Sequence, residues 1–202
     1  MKLSSYLLIV LCAVGCTSPL QTAYPEKSYF VIDARRKGEP VSAPSAPVLR
    51  IGHVRISSQY SGRELTYKTD EQQYESDFYN EFLDDPARLI EEQAFSWLSS
   101  SGRFEQVLDP GHPSRAAWRL DLRIQTLYGD YHDAEPPEAV LAMQTFLLDE
   151  DSGTQSVLLF DSYEARVPCE GDAPSLAAAW SEALREILQE LEEDLAAFAE
   201  TN

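Results

Sequence analysis

Near the C-terminus, Leu176, Trp180, Leu184, Ile187, Leu188, Leu191, Leu195 and Phe198 recur at three- and four-residue spacing over about six turns of an α-helix. Such a stripe is the inner face of a long amphipathic helix, and it is stable only when buried against a surface of comparable length. The preceding sequence supplies that surface. Trp118, Leu120, Leu122, Ile124 and Thr126 alternate with Arg119, Asp121, Arg123 and Gln125, as in a strand with one wet face. Residues 139–148 and 156–165 follow as further strands, with turns at 129–137 and 149–154, so the three read as an antiparallel meander.

The first half of the chain adds a second sheet-and-helix unit. Residues 29–32 read as a strand and 35–47 as a loop holding Pro40, Pro44, Pro47 and the longest basic run, Arg35-Arg36-Lys37. A strand over 48–56 contains Gly52, which marks a bulge or a close approach. Residues 63–69 and 73–79 read as a hairpin turning at Asp70-Glu71, with Leu65, Tyr67, Tyr74 and Phe78 as its larger apolar side chains. Asp85-Pro86 is an N-cap followed by proline at the first helical position. The helix it opens, running to about Ser99, places Leu89, Ile90, Ala94, Trp97 and Leu98 on one face; a short strand over 104–108 follows. The expected fold is α+β, a largely antiparallel β-sheet with two amphipathic helices packed on it, forming a single domain over 28–202. Two helices with one apolar face each cannot cover both sides of such a sheet. Its second face should be wet, or covered by a partner.

Charge narrows the function. With 34 acids against 16 bases the formal net charge is −18, and no basic cluster is large enough to neutralise a nucleic-acid backbone. The same balance opposes electrostatic adsorption on anionic lipid. From residue 170 onward Arg185 is the lone base among many acids, so the C-terminal helix should carry a solvated acidic back, a surface suited to a basic partner.

Residues 1–15 read as a targeting segment. Met1-Lys2 is a short positive start, and an uncharged, mostly apolar stretch from Leu3 to Val14 follows, too short to span a bilayer but suited to a signal-peptide core. Ala13-Val14-Gly15-Cys16 resembles the lipobox of bacterial lipoproteins, which implies transfer of diacylglycerol to Cys16, cleavage before it and acylation, palmitate included, of the new amine. Residues 16–27 are then a lipidated tether whose eleven residues after Cys16 reach at most about 36–40 Å. Thr17 stands where the inner-membrane retention signal of enterobacteria would place Asp, which points to the outer membrane. After cleavage Cys12 is lost and Cys16 carries lipid, so Cys169 has no cysteine left to bridge within the chain.

Candidate chemistry is sparse. Asp130-Tyr131-His132-Asp133-Ala134-Glu135 offers carboxylates and an imidazole that suit a divalent cation or acid–base work. Spacing within a loop does not force them to converge, so the expectation is a solvated hairpin loop. Asp149-Glu150-Asp151-Ser152-Gly153 lacks the glycine and distal Glu of a calcium loop and reads as a polar turn. His53 is expected at a core or edge position of its strand, His112 in a loop, and Cys169 in a structural turn without a histidine beside it. No nucleophile elbow, phosphate loop or paired-cysteine motif is present. The expectation is a protein that is not an enzyme, with no catalytic, cofactor-binding or metal-binding residues; Cys16 is the one assigned site.

A longer pattern runs through Tyr74-Glu75-Ser76-Asp77-Phe78-Tyr79-Asn80-Glu81-Phe82-Leu83, Asp85-Pro86-Ala87, Leu89-Ile90, Trp97-Leu98 and Ser101-Gly102-Arg103-Phe104-Glu105-Gln106-Val107. With the lipobox, the strand at Tyr29 and the strand from Trp118, it resembles the ABC-type transport auxiliary lipoprotein family. Phe82 stands in the region where many members carry a tryptophan. The resemblance implies an outer-membrane, periplasm-facing accessory role in moving lipids or other hydrophobic compounds between membranes. It also implies partners: an MCE-domain periplasmic protein and ABC permease and ATPase components. A second copy of the chain is a further candidate, and an envelope-assembly role in lipopolysaccharide insertion or beside a peptidoglycan synthase is the alternative.

Overall fold

Residues 26–153 and 156–201 are described by the computed structural model. The signal segment, Cys16 and the tether as far as residue 25 lie outside the described residues. Along the chain run β1 (Ser28–Phe30), β2 (Leu49–Ile56), a 3-10 turn (Ser58–Tyr60), β3 (Glu64–Asp70), β4 (Gln73–Phe82), α1 (Pro86–Ser101), β5 (Val107–Leu108), β6 (Trp118–Asp130), β7 (Glu138–Asp149), β8 (Val157–Pro168) and α2 (Ala173–Thr201).

One eight-stranded sheet contains every strand, and β6 organises it. One side of β6 pairs antiparallel with β7 along its whole length, and β7 pairs antiparallel with β8. The other side is shared: its first half pairs with β2, its last residues with β3, both in parallel. Beyond β2 lies β5, and beyond β3 come β4 and then β1 at the edge. The long antiparallel ladders are those of the expected meander, in which alternation marks β6 and turns delimit β7 and β8. The parallel pairings join segments far apart in sequence, and periodicity carries no information about them.

Both helices cover the same sheet face. Leu49, Ile51, Leu120, Leu122, Ile124, Leu141, Met143 and Leu147 pack with the apolar stripes of α1 and α2 in one core. Every residue of the stripe from Leu176 to Leu195 is buried, and Phe198 closes it against Trp118, ring centroids 5.5 Å apart. Burying a side chain of this class contributes about 1.5–3 kcal/mol, so this row accounts for much of the hold of α2 on β7 and β8. α1 begins as expected, the Asp85 carboxylate accepting from Ala87 N–H at 2.8 Å. It ends two residues later than expected, at Ser101, where Gly102 takes the left-handed conformation at φ 72°.

Smaller departures have local causes. The hairpin turns at residues 71–72 rather than at Asp70-Glu71, and β6 continues to Asp130, four residues past the alternating run. β1 is short because residues 32–34 leave the sheet to run between the helices. There Asp33 N–H donates to Ser181 Oγ and Ala34 N–H to Gln93 Oε1. Gly52 sits at a register shift between Ile51 and Val54, and a Cβ there would collide with the Asp121 carboxylate.

Candidate functional site

Glu192 is a buried carboxylate on α2 with hydrogen-bond donors on both oxygens. Its position, four residues after Leu188 and three before Leu195, puts it on the apolar side of α2, and it is 4% exposed. Arg36 donates Nε to one carboxylate oxygen at 2.8 Å and Nη2 to the other at 3.0 Å. Arg103 Nε donates at 2.7 Å and the Trp97 indole N–H at 2.8 Å. Burial alone would raise the Glu192 pKa, but the hydrogen bonds from Arg36 and Arg103 outweigh it and hold the carboxyl below its ordinary value. The same contact raises Arg36. Beside this cluster lies a cleft of about 320 Å³ that also borders Lys37 and Arg185. Both Glu192 oxygens are saturated by donors, so it cannot accept a proton readily or bind a cation. Its chemistry is that of a clamp: it fixes the basic loop and the end of α1 to α2.

The opposite sheet face is the open one. Residues paired across neighbouring strands point to the same side, so the pairs Arg50↔Arg119 and Arg55↔Arg123 of β2 and β6 stand together there. Arg50 is held by Glu150 and Arg119 by Asp121. Arg55 and Arg123 are exposed and have no ion-pair partner among the described residues. Next to them the register runs Asp121↔Phe146↔Phe160, with the two rings 5.0 Å apart and Phe160 half exposed. A stripe of arginine flanked by aromatic surface on so acidic a chain fits an acidic partner. The far half of this face is closed by Tyr60, which stacks on Tyr128 at 6.0 Å.

Of the core and edge positions expected for His53 the structure gives the edge: it is exposed at the β2 bulge, beyond the β5 pairing, and its N–H donates to Asp121 Oδ1 at 3.0 Å. Asp130 is buried, and it organises its own loop by accepting from His132 and Asp133 N–H and from Arg166. Asp133 pairs with Lys68, whose hydrogen bond lowers its pKa. These groups converge on one another as a capped turn, and only His132, Asp133 and Glu135 remain outward. Asp149 likewise caps its turn through Asp151 and Ser152 N–H. His112 lies in the loop before β6, its Nδ1 accepting from Ser114 N–H at 3.2 Å. Cys169 is buried without a disulfide, and burial pushes its thiol pKa up, away from nucleophilic use. Cys16 lies outside the described residues. Among the described residues no group of three or more His, Cys, Asp or Glu is placed to hold a metal ion, and no helix is long and apolar enough to cross a membrane.

The sequence reading placed the acids of α2 on its solvated back. Glu186, Glu190, Glu193 and Glu200 are there, but Glu192 is not, and the signal that identifies it is its place within the apolar stripe.

Comparison with known proteins places this fold. A protein of Xanthomonas campestris, XCC0632, superposes with a TM-score of 0.73 at 14% identity, covering 86% of this chain and 97% of its own. The hypothetical protein CT253 of Chlamydia trachomatis gives 0.52 at 12% identity, over 75% of this chain and 99% of that one. At such identities the likeness is one of fold. No curated protein matches. The sequence profile of the ABC-type transport auxiliary lipoprotein component matches residues 30–192, which takes in every element from the end of β1 well into α2. This chain therefore belongs to the family of ABC-type transport auxiliary lipoproteins.

Proposed function

We propose that the chain is an outer-membrane-anchored auxiliary lipoprotein of an ABC/MCE-type intermembrane transport system for lipids or other hydrophobic compounds. In this reading acyl chains on Cys16 hold it at the membrane, facing the periplasm, and the domain acts as tether and docking component without catalysis. The observation that carries the reading is the family match over residues 30–192, a short tether downstream of Ala13-Val14-Gly15-Cys16. Anchoring confines the domain to a thin layer, so a modest docking affinity suffices. The free arginines Arg55 and Arg123 support the open sheet face as the docking face, with an acidic segment of the MCE-domain protein or permease as its counterpart.

Crosslinking in intact envelopes from a photoreactive residue at position 125, between the stripe and the bulk of the face, tests the partner. Capture of an MCE-domain or ABC component is expected, and capture only of a lipopolysaccharide-insertion or peptidoglycan-synthase component would sink the reading. Cys16→Ser should release the protein from membranes. Palmitate labelling that persists in this variant would refute the anchor. Thr17→Asp should move the protein from the outer to the inner membrane on a density gradient in an enterobacterial host; an unchanged distribution refutes the sorting assignment.

A further inference from the structure

Five of the eight large apolar side chains exposed among the described residues gather at one edge of the sheet. Tyr29, Val31, Phe78, Tyr79 and Leu83 are all exposed, Phe78 at 66% and Leu83 at 56%. They belong to β1, to β4 or to residues just past them, and Leu83 N–H donates to Phe30 O at 2.7 Å, which brings the two strand ends together. Water-exposed apolar patches of this kind are uncommon on soluble domains unless something covers them.

The exposure is built into the backbone. In the β3–β4 ladder Glu64 lies opposite Glu81 and Thr66 opposite Ser76, so residues 77–80 form a long bulge facing Leu65 alone, with Asn80 still paired to Ser28 of β1. Asp77 holds that bulge in shape. Its Oδ1 accepts from the N–H groups of Tyr79 and Asn80 at 2.8 and 3.1 Å. Its Oδ2 accepts from Tyr67 OH at 2.8 Å and Asn80 Nδ2 at 2.7 Å. At the tip Phe78 and Tyr79 meet edge to face, centroids 5.2 Å apart at 88°. Two large rings are thus presented to solvent on a frame with its own hydrogen bonds, where a merely tolerated surface ring would need none.

Cations frame the patch. Lys27 Nζ lies 4.4 Å from the Phe78 ring centroid and Arg63 lies 5.7 Å from that of Tyr29. Both also reach Glu81 and neutralise that carboxylate, while Glu64, opposite it in the ladder, stays exposed. Aromatic rings with Lys and Arg beside them are the chemistry that settles at a membrane–water interface. The place where the undescribed chain joins the structure decides the occupant. Lys27 is itself part of the patch, and only eleven residues of tether follow Cys16, a reach of at most about 36–40 Å. A bilayer holding acyl chains on Cys16 therefore lies within reach of this edge, while β8 is at the opposite edge of the sheet.

We propose that the β1–β4 edge, led by Phe78 and Tyr79 on the Asp77-held bulge, is a lipid-contacting surface that seats in the interface of the leaflet carrying the Cys16 acyl chains. This inference rests on the acylation of Cys16 proposed above. Weak insertion of a few rings is enough, because the tether makes the contact intramolecular. It also orients the domain, turning the other sheet edge and β8 away from the membrane.

The test uses the mature, full-length chain reconstituted into vesicles of phosphatidylethanolamine and phosphatidylglycerol, with an environment-sensitive fluorophore at Phe78→Cys or, as control, at Val157→Cys on β8. Both positions are exposed, so neither change asks the fold to repack. The label at 78 should shift to the blue and be quenched several-fold more strongly by spin-labelled lipid than the label at 157. Equal, weak quenching at both sites while the chain sediments with the vesicles overturns the proposal and leaves the anchor standing. A blue shift at 78 without lipid quenching means that protein, such as a second copy of the chain, covers the edge, which also overturns it. Failure of the unlabelled chain to sediment with vesicles refutes the anchor and takes this proposal with it.

Discussion

Glu192 joins segments that share no secondary structure. Replacing it by alanine leaves Arg36 and Arg103, both mostly buried, without their carboxylate, and an orphaned buried charge costs far more than a surface pair. Glu192→Ala should destabilise the domain by about 3 kcal/mol, a fall of roughly 10 °C in Tm for a domain of this size, read by calorimetry. The pH dependence has a definite sign. The folded-state pKa lies below the ordinary value of 4.5, so the carboxylate's contribution is complete above that value and is lost as pH falls through the lower, folded pKa. Glu192→Gln should flatten the acid limb of the stability profile below about pH 4.5, and an unchanged limb would place the acid sensitivity elsewhere. In sequence this residue is one acid among many. Its helical phase marks it as buried, but its partners Arg36 and Arg103 are 67 residues apart in the chain and nothing in the sequence links them to it.

At the scale of elements, the start of α1 and the β2 bulge were legible because their chemistry is local. Asp85-Pro86 defines the start of α1, and Gly52 marks the β2 bulge. The end of α1 depends on more than propensity. Gly102 has φ 72°, and a Cβ there would lie 2.6 Å from Val41 O in the loop that packs on it. Gly102→Val should therefore cost about 2–3 kcal/mol. Gly153→Ala has the same φ but no neighbour within 4 Å, so it should cost only about 1 kcal/mol. Comparable denaturation midpoints for the two variants would refute this packing role. The hairpin shows where local reading stops. Phe78 looks like an ordinary inward strand residue, yet it is exposed, because the bulge at residues 77–80 breaks the two-residue alternation that assigns faces; Tyr74, ahead of the bulge, lies edge-on to Tyr60 and Tyr128 on the open face of the sheet.

For the whole molecule, the net charge of −18 conceals an uneven distribution. Acids occupy the back of α2, while Arg50, Arg55, Arg119 and Arg123 share the open face of the sheet. Arg55→Glu with Arg123→Glu should leave Tm nearly unchanged, since both side chains are exposed and unpaired, and should sharply reduce envelope crosslinking from that face; undiminished crosslinking would remove it as the docking face. The sequence alone determined the α+β class, both amphipathic helices, the antiparallel meander and the family resemblance. Each of these is written in local periodicity, in capping chemistry or in short motifs. Tertiary structure alone decided that β2 and β3 share one side of β6, that Arg36 and Arg103 are the partners Glu192 meets, and that four arginines from two strands converge on one face. The physical reason is common to all three. Pairing between distant segments is set by how hydrophobic faces and charges are jointly satisfied once the chain is compact, and no spacing along the sequence records that outcome.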